Sequence, residues 1–349
     1  MPYSLSLALA AFAVALIAMP GVMRLAHRAG AIDRPGPRRV HLEPVPTLGG
    51  LALIAAVMIV AWGSRVLPGP ARELEARPLL GYTLAALPII ALGIVDDLRG
   101  APPLAKLGVQ ACSALVLSLF GYRVAEITNP LGGTLAAHAL SAPLTIAWVL
   151  VMTNAINLID GLDGLAAGVV AIAAATLWWV GHSHGDFYVM FFSAILIGAT
   201  GGFLCFNFPP ARVFMGDTGS QFLGLTLAAV SLLENRKGTT ALALLLPIVA
   251  LGLPLIDSVS AFGRRVIAGR PVFHGDTEHI HHRMMRLGLS PRGAVLLLWG
   301  LSALLGLAAV ALEPLPRRTA AWLAALIALA VLLGFEAIKY QAAKRALPK

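Results

Sequence analysis

Four groups of polar residues interrupt an otherwise apolar chain, and their types and spacing could do chemistry. The first is the pair Asp96–Asp97 in "GIVDDLRG"; the second, "TNAINLIDGLDGLAAG", sets Asn154, Asn157, Asp160 and Asp163 three residues apart. Asp217 lies in "FMGDTGSQF", and "HGDTEHIHHRM" carries His279, His281, His282 and Arg283. Carboxylates and amides without thiolates suit a hard cation such as Mg²⁺, which takes oxygen ligands and leaves room for phosphate. Histidine and arginine beside it suit anionic oxygens. Phosphoryl transfer needs that combination, because its catalysis is positioning plus electrostatic stabilisation around phosphorus. No Walker-type glycine loop is present, so a nucleotide would be held by other means.

Each group also has a plainer reading. Asp96–Asp97 could be a solvated helix end, and Asp217, Thr218 and Ser220 suit a helix N-terminus. The histidine spacing is poor for zinc. "HSHGD" at 182–186 reads as ordinary loop polarity. Asp257 could be a helix–helix partner or could neutralise Arg264 or Arg265.

The elements that must position these groups follow from composition. Of 349 residues 58% are hydrophobic and 12% charged, half the charged share of a soluble domain, roughly 25%. The solvent is therefore largely lipid. Apolar runs near bilayer-spanning length fall at about 4–23, 47–64, 79–95, 105–121, 142–160, 164–181, 187–206, 219–234, 240–262, 293–312 and 319–338. They predict one all-α, polytopic domain over residues 1–349 with about eleven transmembrane helices. Continuous rather than alternating apolarity disfavours a β-barrel. The first run differs from a signal peptide, since Arg24 and Arg28 follow it and Pro20–Gly21 fall at its end. Cys112 and Cys205 lie in apolar runs and read as buried small side chains.

Basic residues set the orientation. The segments 24–40, 96–106, 208–218, 263–292 and 339–349 hold 18 of the 26 Lys and Arg residues. The positive-inside rule then puts the N-terminus outside and the C-terminus in the cytoplasm. All four polar groups come to the cytoplasmic edge, where ionisable residues are costly and functional by default. The net charge of +9 reflects this bias, with no nucleic-acid-binding module in view. The residues alone thus point to a metal-dependent, membrane-embedded phosphotransferase joining a soluble phosphorylated donor to a lipid acceptor.

"VPTLGG" (45–50), "GIVDDLRG" (93–100), "NAINLIDGLDGLAAG" (154–168), "FMGDTGS" (214–220) and "HIHHR" (279–283), in this order, resemble the motifs of the polyprenyl-phosphate N-acetylhexosamine-1-phosphate transferases. "ITNPLGG" (127–133) is more similar to the GlcNAc branch than to the sister phospho-MurNAc-pentapeptide translocase. The resemblance implies transfer of GlcNAc-1-phosphate from a UDP-sugar to undecaprenyl phosphate, with release of UMP, at the cytoplasmic face of a bacterial inner membrane. The lipid-linked product would start a cell-envelope glycan, such as lipopolysaccharide or teichoic acid. The sister translocase reaction, or another UDP-N-acetylhexosamine donor, is the alternative.

The resemblance also implies roles. Asp96 would deprotonate or orient the lipid phosphate, with Asp97 supporting metal and phosphate. Asp217 would ligate Mg²⁺, with Mn²⁺ as the alternative ion. Asn157 and Asp160 would hold the diphosphate and metal, and Asp160 counts with the aspartate pair as catalytic. Asn154, Asp163, Lys106, His279, His281, His282 and Arg283 would bind substrate, with Asp163 toward the nucleotide. The sister's dimeric habit implies a homodimer. Two departures stand out. Glu43–Pro44 replaces a lysine ahead of "VPTLGG", leaving Arg38 or Arg39 as substitutes, and "GDTEHIHH" lacks a basic residue ahead of its histidines. A secondary transporter is the remote competitor, disfavoured because the acids lie at helix ends rather than at the midplane. A CDP-alcohol phosphatidyltransferase is set aside because "DGLDG" continues as "LAAG".

In "TNAINLIDGLDGLAAG" each step of three advances about 300° on a helix, so Asn154, Asn157 and Asp160 can share one drifting stripe. Gly161 is the expected helix stop and Asp163 the expected cap of the next helix.

Overall fold

In lipid, each backbone N–H and C=O must be paired within its own segment, and the apolar runs accordingly fold as helices. The structure, a computed structural model, describes residues 2–35, 43–128, 134–234, 284, 285 and 287–346. The helices are α1 (Pro2–Ala29), α2 (Gly50–Val66), α3 (Ala76–Arg99), α4 (Pro103–Leu119), α5 (Ser141–Ile159), α6 (Leu165–Ser183), α7 (Phe187–Asn207), α8 (Gly216–Glu234), α9 (Pro291–Leu312) and α10 (Arg317–Ala346). They coincide with ten of the eleven expected runs; the run at 240–262 lies outside the described residues, as do Asp257, Arg264 and Arg265. Among the described residues six helices are long and apolar enough to cross a membrane: α1, α3, α5 with the turn before it, α6, α7 and α9. The chain is a multi-pass membrane protein. α2, α4 and residues 318–334 of α10 are apolar but shorter.

Two antiparallel ribbons qualify the all-helical expectation: β1 (Ile32–Asp33) with β2 (Val45–Pro46), and β3 (Glu126–Thr128) with β4 (Thr134–Ala136). α1 also runs straight through Pro20 to Ala29, past its expected end near residue 23. Proline removes one helical hydrogen bond, whereas unravelling the last turns would strand several backbone groups. The two cysteines correct another expectation, because both are exposed rather than buried. A small apolar side chain facing lipid needs no protein cover.

The core is centred on α8, which packs against α2, α3, α5, α6 and α7. Phe222, Leu223, Leu225 and the apolar residues on to Leu233 are buried there. Thr226 and Ser231 of α8 are buried too, and they are bonded: Thr226 Oγ1 lies 2.7 Å from Tyr82 Oη, and Ser231 Oγ accepts from Trp148 Nε1 at 2.9 Å. Such bonds offset the cost of burying hydroxyls. Outward-facing residues such as Ile17, Leu104 and Trp322 are largely exposed, which suits a lipid boundary.

Candidate active site

The site is built around the first turn of α8. Three backbone hydrogen bonds seat the "VPTLGG" segment against "VFMGD": Phe214 N donates to Pro46 O at 2.8 Å, Gly49 N to Phe214 O at 2.9 Å, and Gly50 N to Met215 O at 2.9 Å. The glycines permit this approach. A Cβ on Gly50 would lie 2.3 Å from the Cα of Gly219, and one on Gly93 of α3 would lie 2.4 Å from the Cα of Thr218. Helices α2 and α3 therefore reach the start of α8 at backbone distance.

That approach lets Asp97 act as a cap supplied by another helix. Its Oδ1 accepts from Asp217 N at 2.7 Å; its Oδ2 accepts from Thr218 N at 3.1 Å and from Thr218 Oγ1 at 2.6 Å. A carboxylate at a helix N-terminus satisfies donors that have no partner within the helix. Gly216, at φ +72°, makes the left-handed turn into the helix beside this carboxylate. Asp97 is thus the anchor of the Asp217 loop, with both oxygens engaged.

Asp217 is held from three other helices. Asn157 Nδ2 of α5 donates to its Oδ1 at 3.0 Å and to Ser220 Oγ at 2.9 Å. Lys106 Nζ of α4 donates to its Oδ2 at 2.6 Å and also pairs with Asp96 of α3. Asp96 Oδ1 in turn accepts from Ala101 N at 2.6 Å. A single ammonium therefore bridges the two carboxylates. Behind Asp217, Gln221 Nε2 reaches its Oδ2 at 3.4 Å, Gln110 Nε2 reaches Gln221 Oε1 at 3.4 Å, and Asn154 Nδ2 donates to Gln110 Oε1 at 2.7 Å. Asn154 also donates to Leu150 O at 2.8 Å, one turn deeper than Asn157.

The α5–α6 turn carries the remaining acids. α5 ends at Ile159, and the left-handed glycine is Gly164 (φ +75°), not Gly161. Asp163 does not cap α6: Gly164 stands at the N-cap without a side-chain bond, and Asp163 Oδ2 instead accepts from Ala211 N at 2.9 Å. The buried Asn207 ties the turn in place, accepting from Gly164 N at 2.9 Å and donating to Val213 O at 2.8 Å. An acceptor 43 residues away in sequence won over the local cap. Asp160 follows the last residue of α5; its backbone N–H donates to Asn157 O at 3.3 Å, and its carboxylate makes no hydrogen bond or ion pair among the described residues. Removal from water holds its carboxyl well above the usual range, and the charges of Asp217, Asp97 and Asp163 add to this.

Asp97, Asn157, Asp160, Asp163 and Asp217 line one cleft of about 1200 Å³, together with the 209–212 loop and Arg292. Asp96 and Lys106 stand behind its wall, joined to it through Asp217, while Asn154 belongs to the buried amide chain. His279, His281, His282 and Arg283 lie outside the described residues, as do Arg38 and Arg39. "HSHGD" is only in part a loop: His182 and Ser183 end α6, Ser183 Oγ donates to Glu313 at 2.7 Å, and Asp186 caps α7 through Tyr188 N and Val189 N. Gln110, Gln221, Asn207 and Arg292 escaped the sequence reading, which took Thr218 and Ser220 only as residues of a helix start. A signal for the two glutamines existed: a polar side chain inside an apolar helix requires a partner.

Fold and site together define a polytopic helical membrane protein with a carboxylate-lined cleft where helix ends meet. The profile of glycosyl transferase family 4 matches residues 79–235. The chain is 37% identical over 299 residues to a probable undecaprenyl-phosphate N-acetylglucosaminyl 1-phosphate transferase of Bacillus subtilis (strain 168), covering 85% of this chain and 82% of that protein. It is 35% identical over 301 residues to a decaprenyl-phosphate N-acetylglucosaminephosphotransferase of Mycobacterium tuberculosis (strain ATCC 25618 / H37Rv), covering 80% and 74%. A phospho-N-acetylmuramoyl-pentapeptide-transferase of Synechococcus sp. (strain RCC307) is 35% identical over 345 residues, covering 89% of each chain. The chain belongs to glycosyl transferase family 4, among the polyprenyl-phosphate sugar-1-phosphate transferases.

Proposed function

We propose that the protein transfers N-acetylglucosamine-1-phosphate from UDP-GlcNAc to undecaprenyl phosphate, releasing UMP. The reading rests on one geometric observation: Asp217 is held by Asn157, Lys106 and the Asp97-capped turn at the wall of a cleft shared with Asp160 and Asp163. The names of the Bacillus and Mycobacterium relatives support the lipid and the sugar.

In the reaction an oxygen of the lipid phosphate attacks the β-phosphorus of the donor. The bond from that phosphorus to the bridging oxygen breaks, and UMP leaves with the electron pair. Lys106, bridging Asp96 and Asp217, sits where it can neutralise an incoming phosphate, and Asp96 beside it orients that phosphate. Direct attack needs no covalent aspartyl intermediate.

A divalent cation fits the donor set. Among the described residues no three His, Cys, Asp or Glu side chains form a ready-made metal cage. Mg²⁺ commonly uses one or two carboxylates and completes its shell with water and substrate phosphate. Asp217 and Asp160, with Asn157, are the residues that would hold it. Mg²⁺, or Mn²⁺ in its place, would supply charge neutralisation at the diphosphate. The carboxylate of Asp160, close to three other acids and without a hydrogen-bonding partner among the described residues, favours such an ion.

The reading includes eleven transmembrane helices in one domain, the N-terminus outside, and the cleft facing the cytoplasm of a bacterial inner membrane. The lysine and arginine distribution supports this orientation. The histidine cluster would bind the donor's phosphate or sugar, and a homodimer completes the proposal. Purified protein given UDP-GlcNAc, undecaprenyl phosphate and Mg²⁺ should release UMP, and Asp217→Ala should abolish release. Turnover with UDP-MurNAc-pentapeptide but not UDP-GlcNAc would reassign the donor, and no turnover with any UDP-N-acetylhexosamine would reject the class.

A further inference from the structure

Among the described residues that line the cleft, six carboxylate side chains, two of which (Asp33 and Glu43) have interactions of their own, meet two guanidinium groups, Arg212 and Arg292. Arg212 is already committed: its Nη2 donates to Cys205 O at 2.7 Å, and its guanidinium lies 4.8 Å from the centre of the Phe206 ring. Arg292 differs. Its Nε donates to Pro209 O at 2.7 Å, and its terminal nitrogens have no partner among the described residues.

We infer that Arg292 is a binding residue for a phosphate oxygen of the nucleotide-sugar donor, an inference that rests on the proposed function. The Nε bond fixes the plane of the guanidinium, so its remaining donors are pre-aimed, and a planar fork is the side chain best matched to phosphate. Its position selects the donor rather than the lipid. Pro209 belongs to the loop whose Ala211 N is bonded to Asp163, so Arg292 faces the Asp160–Asp163 turn across one short loop. Asp96 and Lys106, assigned to the lipid phosphate, are not among the lining residues and join the cleft through Asp217. A doubly anionic donor entering an acidic cleft needs cationic partners along its path, and among the described residues Arg292 offers one whose terminal nitrogens are uncommitted.

The test measures binding of UDP and of uridine to the full-length protein in detergent with Mg²⁺, by calorimetry, for wild type, Arg292→Gln and Arg292→Lys. Arg292→Gln should weaken UDP by about ten- to a hundredfold, the loss of charge-assisted hydrogen bonds, and leave uridine nearly unchanged. Arg292→Lys, which keeps the charge but loses the fixed plane, should fall between. The KM for undecaprenyl phosphate should stay at the wild-type value while that for UDP-GlcNAc rises. UDP affinity unchanged in Arg292→Gln overturns the assignment, and so does an equal loss for UDP and uridine, which would make Arg292 a brace for the loop. Should Arg292→Gln fail to purify folded, unchanged UDP affinity in Arg292→Lys overturns it instead. Wild-type protein that binds neither UDP nor uridine overturns the donor reading itself, a result distinguishable from failure of Arg292 alone.

Discussion

Asp97 Oδ1 accepts the backbone N–H of Asp217 at 2.7 Å, so one acidic residue of the cleft is the structural support of another. The two should respond oppositely to substitution. Asp97→Ala leaves Asp217 N, Thr218 N and Thr218 Oγ1 without their acceptor, which should cost about 1.5–3 kcal/mol and lower the thermal midpoint in detergent. Asp217→Asn should keep the wild-type midpoint to within a few degrees and lose UMP release. Equal midpoints for Asp97→Ala and wild type would count against the anchoring role.

Lys106 neutralises Asp96 and Asp217 together. Lys106→Met leaves two carboxylates facing each other without their shared cation, and kcat/KM should drop by at least about a hundredfold, near 2.7 kcal/mol of transition-state stabilisation. Steady-state kinetics with undecaprenyl phosphate as the varied substrate would check this.

Two glycines of α2 should behave differently under the same substitution. Gly50→Ala drives a Cβ to 2.3 Å from Gly219, whereas Gly63→Ala meets nothing within 4 Å. Overpacking of this kind costs about 1–3 kcal/mol, while alanine for glycine in an open helix position gains up to about 1 kcal/mol. Paired melting curves should therefore move in opposite directions.

A cation held by Asp217 and Asp160 should stabilise the folded protein through binding linkage. Added Mg²⁺ should raise the thermal midpoint of the wild type and leave that of Asp217→Ala unmoved. Chelation should stop UMP release, with Mg²⁺ restoring it.

Much of the helical plan was legible because apolar runs of spanning length have one stable form in lipid. The polar groups were legible as a set for the same reason: charge in such a chain is too costly to be incidental. Their division of labour was not. Asp96 and Asp97 are adjacent and chemically identical, yet one pairs with Lys106 and the other caps a helix 120 residues further on. Local rules also misassigned the α5–α6 turn, where Gly161 and Asp163 had the right residue types for a stop and a cap. The long-range bonds from Gly164 to Asn207 and from Ala211 to Asp163 decided that turn. The histidine cluster lies outside the described residues, so its place relative to the cleft rests on the sequence.

The cap that α3 supplies to α8 also bears on how the protein is made. Asp97 and Asp217 are 120 residues apart, which is roughly 6–24 s of synthesis at about 5–20 residues per second. Throughout that interval the carboxylate of Asp97 has been made and the donors of Asp217 and Thr218 that it will bind have not. The nascent chain must therefore keep the end of α3 hydrated, or shielded by the insertion machinery, until α8 arrives.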